Sequence, residues 1–218
     1  MFRPPALVLA FLLGLLLVGP VARGTAATLT VAVKDAKGAA VVDAVVALIP
    51  LDAPVPPLAA SPHEIVQRNQ EFQSYVTVVQ AGSQVQFPNR DTVQHHLYSL
   101  SKAKKFELAL YNPGQAESMV FDVSGVVTLG CNIHDWMLAY LYVVPTPYFS
   151  QTVGTGEASV TAPQGRYRLE LMHPRLGTSI SEEVVLTDGG TLARTFTVTL
   201  KPDRRIRRAP DPKAGTYR

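Results

Sequence analysis

Seven consecutive residues, Cys131-Asn132-Ile133-His134-Asp135-Trp136-Met137, hold the densest group of soft metal ligands in this sequence. The order Cys-x2-His-x2-Met places a thiolate, an imidazole and a thioether on one short loop, where all three can turn toward a single ion. Soft sulfur combined with imidazole selects copper, and one Cys with two His and a weak axial Met is the donor set of a blue-copper electron-transfer site. A second imidazole is therefore expected from an upstream strand. His95 and His96 are the candidates, His95 lying 36 positions before Cys131. Successive strand residues face opposite sides, so only one of the two can point inward from a regular strand.

Taken singly, each of these residues has a plainer explanation. A solitary Cys is usually a small buried hydrophobe, and Met137 alone would pass as core. Their order, the short loop and its place between two apolar strands favour copper. Zinc is the nearest rival, but structural zinc sites want more than the single cysteine present. Haem attachment would need a Cys-x-x-Cys-His run, which is absent. Cysteine usage points the same way: an exported protein stabilised by disulfides carries an even count, and a lone thiol in an oxidising compartment needs burial or coordination to protect it. His63 is expected to face solvent, and His173, in Met172-His173-Pro174-Arg175, to be structural. No Ser-His-Asp order, paired-carboxylate motif or phosphate loop occurs. A second, catalytic copper site would need more than the five histidines available. The chain is read as a non-enzyme.

The elements that must position the loop are strands. Alternation over residues 29–33 is followed by a turn at Asp35-Ala36-Lys37-Gly38, and residues 41–49 resume a strand. Residues 50–62 are proline-rich and read as a loop, and residues 65–75 show no clear periodicity. Short strands are expected at 76–79, 84–87, 95–100, 119–121, 126–129 and 138–144, the last two flanking the ligand loop. Further strands are expected at 158–161, 166–171, 181–186 and 195–200. Strands of this length and spacing, with no compelling helix, predict an all-β class with Greek-key sandwiches.

Phe87-Pro88-Asn89-Arg90-Asp91, then Gln94-His95-His96, then the Cys-x2-His-x2-Met loop, resemble the cupredoxin family. The short loop is similar to that of amicyanin within the family, and residues 87–144 resemble exported cupredoxin-like proteins often labelled methylamine-utilisation proteins. That stretch is about a quarter of the chain. By position, the resemblance implies His95 as upstream ligand, Cys131 as thiolate, His134 as second imidazole and Met137 as axial ligand, around one type 1 copper per chain. It implies one-electron transfer with a redox protein partner whose identity the sequence does not name. A copper carrier or sensor, and a metal-free interaction module keeping the fold, are the alternative readings. Two positions depart from the amicyanin pattern: Gln94 stands where Pro precedes the ligand His, and His96 where Asn follows it. That Asn ties the two ligand loops together in the family.

The flanks suggest a second module. Residues 41–48 and Pro163-Gln164-Gly165-Arg166-Tyr167-Arg168-Leu169 resemble carboxypeptidase-regulatory-like β-sandwich repeats, with the copper segment inserted between them. The expected organisation is a signal peptide over 1–27, N-terminal strands and linker over 28–64, a cupredoxin domain over 65–145, a C-terminal module over 146–200 and a basic tail over 201–218. Met1-Phe2-Arg3, the apolar run 6–21 and Gly24-Thr25-Ala26-Ala27 have the form of a secretory signal, which predicts a periplasmic or otherwise exported protein. Contact with a membrane is expected only if that segment stays uncleaved. Residues 29–200 carry 11 Lys or Arg against 15 Asp or Glu, a net of −4. The positive excess lies at the two ends, and no basic stripe with interleaved aromatics argues for nucleic acid.

Overall fold

Apolar residues alternate with Thr, Arg and Glu through much of the chain, and a period of two gives strands with one buried face. The computed structural model describes residues 25–58 and 62–203, and all their regular structure is β. The expected all-β class holds. Most of the expected signal segment (1–24) and most of the tail (204–218) lie outside the described residues.

From the N-terminus the strands are β1 (Ala27–Asp35), β2 (Val45–Pro50), β3 (His63–Glu64), β4 (Gln67–Arg68), β5 (Glu71–Phe72) and β6 (Val76–Gln80). Then come β7 (Ser83–Pro88), β8 (Leu97–Ser101), β9 (Lys104–Glu107), β10 (Ala116–Phe121), β11 (Gly125–Cys131) and β12 (Leu138–Val144). The remainder are β13 (Phe149–Gln151), β14 (Glu157–Ala162), β15 (Gly165–Met172), β16 (Ile180–Leu186) and β17 (Thr191–Val198).

Sheets β14-β1-β17 and β13-β2-β15-β16 share one core that includes Leu29, Val31, Leu48, Val160, Leu169 and Leu171. β1 pairs antiparallel with β14 and parallel with β17, so strands from both ends of the chain make one sandwich. Sheets β6-β12-β11-β8-β9 and β10-β7-β3 enclose a second core around Val85, Phe87, Leu97, Phe121, Leu129 and Leu141. Here β6 runs parallel to β12, and the chain crosses between sheets from β6 to β7, β7 to β8, β9 to β10 and β10 to β11, a Greek-key pattern. His63, expected to face solvent, is instead half-buried in β3 beside Val85 of β7. A two-residue strand is too short to show a period, which hides it from sequence reading.

Two strands lie back to back where the sandwiches meet. In β2, Val46 and Leu48 enter the first core, while Val45 and Ala47 pack with Val76, Tyr142 and Val144. In β12, Ala139, Leu141 and Val143 enter the second core and Tyr142 and Val144 face β2. Burial on both faces explains why these strands read as nearly unbroken apolar runs.

Candidate metal centre

Pairing register places Cys131 beside the segment that carries His95. β11 buries Val127, Leu129 and Cys131, so the alternation puts the Cys131 sulfur on its inner face. Cys131 pairs with Leu97 of β8, and Leu97 shares a face with Ser99 and, two residues back, with His95; all three are fully buried. His95 is pinned to Tyr111 by a pair of backbone hydrogen bonds of 3.2 and 3.0 Å. His134 arrives by the loop between β11 and β12, whose turn is closed by Met137 N–H donating to the His134 carbonyl at 2.9 Å.

The outcome is a three-donor cluster. His95 Nδ1 lies 3.8 Å and His134 Nδ1 3.5 Å from Cys131 Sγ, and all three atoms fall within 4.8 Å of one another. The two imidazole centroids are 5.0 Å apart. Met137 is buried in the same apolar core as Cys131. His96 turns the other way: its Nε2 lies 2.8 Å from Glu107 Oε1 and its Nδ1 3.4 Å from Asn132 Nδ2. Of the two adjacent histidines, His95 faces the Cys131 sulfur and His96 faces Asn132.

His96 also contacts the loop that follows β11. Its carbonyl accepts Asn132 N–H at 3.0 Å, and its ring sits beside the Asn132 amide, so the upstream segment and the ligand loop are joined by a His–Asn pair. Gln94 points outward to Asn112. His173 is buried and accepts Arg175 N–H at 3.0 Å through Nδ1, a structural role as expected. The tail is held at its first residue, where Lys201 and Arg175 exchange bonds of 2.8 and 2.7 Å.

Sequence reading did not single out the residues behind the ligands. Asp91 Oδ2 lies 3.2 Å from His95 Nε2 and also accepts Gln70 N–H, while Oδ1 accepts Thr92 N–H at 2.8 Å. Asn89, fully buried, accepts Asp91 N–H and donates to the Val93 and Tyr111 carbonyls. Trp136 packs beside His134, ring centroids 5.6 Å apart, and donates from Nε1 to the Gln70 carbonyl at 2.8 Å. A carboxylate four residues before a candidate ligand His is the one signal that could have marked Asp91.

Electrostatics follow from these contacts. Burial pushes the Cys131 thiol up, but hydrogen bonds from His95 and from the His96 and Ile133 amides outweigh it, and the thiol is held below its ordinary value. Burial alone would lower His95, yet the Cys131 and Asp91 contacts leave it raised. Burial opposes ionisation of Asp91 too, and the Gln70 and Thr92 amides with His95 leave it lowered. A sulfur easily made thiolate beside two imidazole nitrogens is a donor set that suits Cu(I) and Cu(II).

No family model matches the chain, and no curated protein matches it in sequence. Among solved structures it is similar to a purple cupredoxin from Nitrosopumilus maritimus, at 22% identity over 37% of this chain and 98% of that one, TM-score 0.34. A Cu(I) amicyanin variant matches at 15% identity over 45% of this chain and 97% of that one, TM-score 0.36. A copper-containing nitrite reductase from Thermus scotoductus SA-01 matches at 19% identity over 43% of this chain and 25% of that one, TM-score 0.37. These three matches are a purple cupredoxin, an amicyanin variant and a copper-containing nitrite reductase, and each leaves more than half of this chain outside it.

Proposed function

We propose that this chain is an exported type 1 copper protein that carries single electrons between redox partners outside the cytoplasm and catalyses no reaction of its own. The observation that supports it is the convergence of His95 Nδ1, Cys131 Sγ and His134 Nδ1 beside the core of the second sandwich. Those three residues would hold the ion, with the Met137 thioether as a fourth, weaker donor. Copper bound there would supply a one-electron couple, tuned by that thioether and by hydrogen bonds to the Cys131 sulfur.

The chain's own residues do the rest. Asp91 Oδ2 accepts a hydrogen bond from His95 Nε2–H, which fixes the ring and leaves the Nδ1 lone pair free to face an ion. Hydrogen bonds from His95 and from the His96 and Ile133 amides favour ionisation of the sulfur. His134, half-buried beside exposed Ile133, is the ligand nearest solvent and the natural point of electron entry. The sandwich built from the two ends of the chain is read as a carboxypeptidase-regulatory-like module that carries residues 65–145 as an insertion.

The test is a visible spectrum after adding one equivalent of Cu(II) to the exported chain. An intense thiolate-to-copper band that Cys131→Ala abolishes is expected; a band retained in that variant overturns the ligand set. A colourless protein that binds exchangeable Cu(I) would replace electron transfer by copper delivery, and binding of neither ion would leave an interaction module.

A further inference from the structure

Gln70 joins the surroundings of both imidazoles through its backbone. With Asn69 it forms the two-residue turn between β4 and β5, and both residues adopt left-handed backbones, φ 56° and 57°. A turn with two positive φ values favours Gly at its second place, so a Gln held there is strain that the surroundings enforce. Its N–H donates to Asp91 Oδ2, the oxygen that faces His95 Nε2. Its carbonyl accepts the indole N–H of Trp136, whose ring packs beside His134. One peptide residue therefore anchors the carboxylate behind one imidazole and the indole beside the other.

The turn is itself held from below. The Gln67 carbonyl accepts Arg90 N–H at 2.9 Å, its side chain accepts the Tyr111 hydroxyl, and Tyr111 is the backbone partner of His95. Gln67 and Asn89 are both fully buried. Buried polar groups linked in this way specify one arrangement, because each broken bond strands a partner away from water.

We propose that the β4–β5 hairpin is a positioning clip for the metal centre, in which Gln70 couples the orientation of His95, through Asp91, to that of His134, through Trp136. This rests on the reading of His95, Cys131 and His134 as metal ligands. The clip sets the donors before an ion arrives and restrains them while its charge changes, which is what a supporting shell must do.

Trp136→Phe keeps a ring against His134 and removes only the indole N–H; Asp91→Asn keeps the shape behind His95 and removes the charge. Both are compared with the parent by amide hydrogen exchange and imidazole 15N shifts in the metal-free protein, by visible and EPR spectra after copper loading, and by melting temperature. Trp136→Phe is expected to speed exchange of the Gln70 amide, on the opposite arm of the clip, by about tenfold, the scale of one lost hydrogen bond. It should shift the His95 15N signals and, combined with Asp91→Asn, give a non-additive change. Unchanged Gln70 protection in a folded Trp136→Phe variant, or strict additivity, overturns the clip. A parent protein that binds no copper overturns the ligand assignment instead, and the metal-free exchange data still decide the clip.

Discussion

The two sandwiches of this chain share a strand pattern but use their buried polar side chains differently. In the sandwich made from the chain ends, such groups mend backbone. Thr152 Oγ1 accepts Ala44 N–H and donates to the Val41 carbonyl, Thr146 Oγ1 donates to the Leu48 carbonyl, and His173 accepts Arg175 N–H. Around the candidate metal centre Asn89 also bonds backbone, but other buried or part-buried side chains contact one another: Tyr111 with Gln67, Asp91 with His95, and His95 and His134 with Cys131. A side chain that completes a strand end serves folding alone. A linked group of titratable side chains in a β core costs desolvation that folding does not require, so it points to chemistry.

The comparison breaks most visibly in the apolar core. Leu169 is fully buried between the two sheets of the first sandwich, and Leu169→Ala should cost about 2–5 kcal/mol in denaturant unfolding. The copper spectrum of the folded fraction should not change; a changed spectrum would mean that the sandwiches do not divide the work as described. Thr152→Val is the polar counterpart. It leaves the Ala44 amide and the Val41 carbonyl without their shared partner, a loss of about 1–3 kcal/mol with the donor cluster intact. Additive urea midpoints for Thr152→Val and Asp91→Asn would sharpen the division; strong coupling between them would erase it.

What could be read from sequence follows the same division. Strand existence was plain wherever a period of two ran for five or more residues, as in β1 and β14, where buried residues alternate with more exposed ones. The ligand loop was plain because Cys131, His134 and Met137 are close in sequence. Residues 65–75 were not, since β4 and β5 are two residues each and owe their form to long-range partners: Gln67 with Asn89 and Tyr111, Gln70 with Asp91 and Trp136. The same reach hid Asp91 and Trp136 as supports of the ligands. The strand expected from His95 begins only at Leu97, because His95 leaves the β11 ladder to bridge Tyr111. His96 looked like a departure from pattern until Asn132 supplied its partner from across the loop.

The junction between the sandwiches gives a pH test. Burial raises the Tyr142 hydroxyl well above its ordinary value, with Tyr140 and Tyr75 adding to the effect. The neutral phenol is therefore the form the fold favours. Stability from this group is fully present below the unfolded tyrosine value, about 10, and is lost as pH rises beyond it. Unfolding midpoints should fall on going from pH 9 to pH 11, by less in Tyr142→Phe than in the parent. An equal fall in both would remove Tyr142 from the junction's alkaline sensitivity.

The smallest effect concerns strain. The turn between β16 and β17 places Gly189 at φ 61°, where glycine carries no steric penalty, whereas the hairpin beside the metal centre places Gln70 at φ 57°. Gln70→Gly should relieve about 1 kcal/mol of strain and give part of it back through a freer unfolded chain. The expected net gain is a few tenths of a kcal/mol, read as a higher urea midpoint at an unchanged slope. Both contacts made by Gln70 use backbone groups, so glycine can still make them but is less constrained to do so. A gain in stability accompanied by faster exchange of the Gln70 amide would show that rigidity at the site was kept at the expense of stability. A net loss of stability would instead assign the hairpin's form to contacts of the Gln70 side chain.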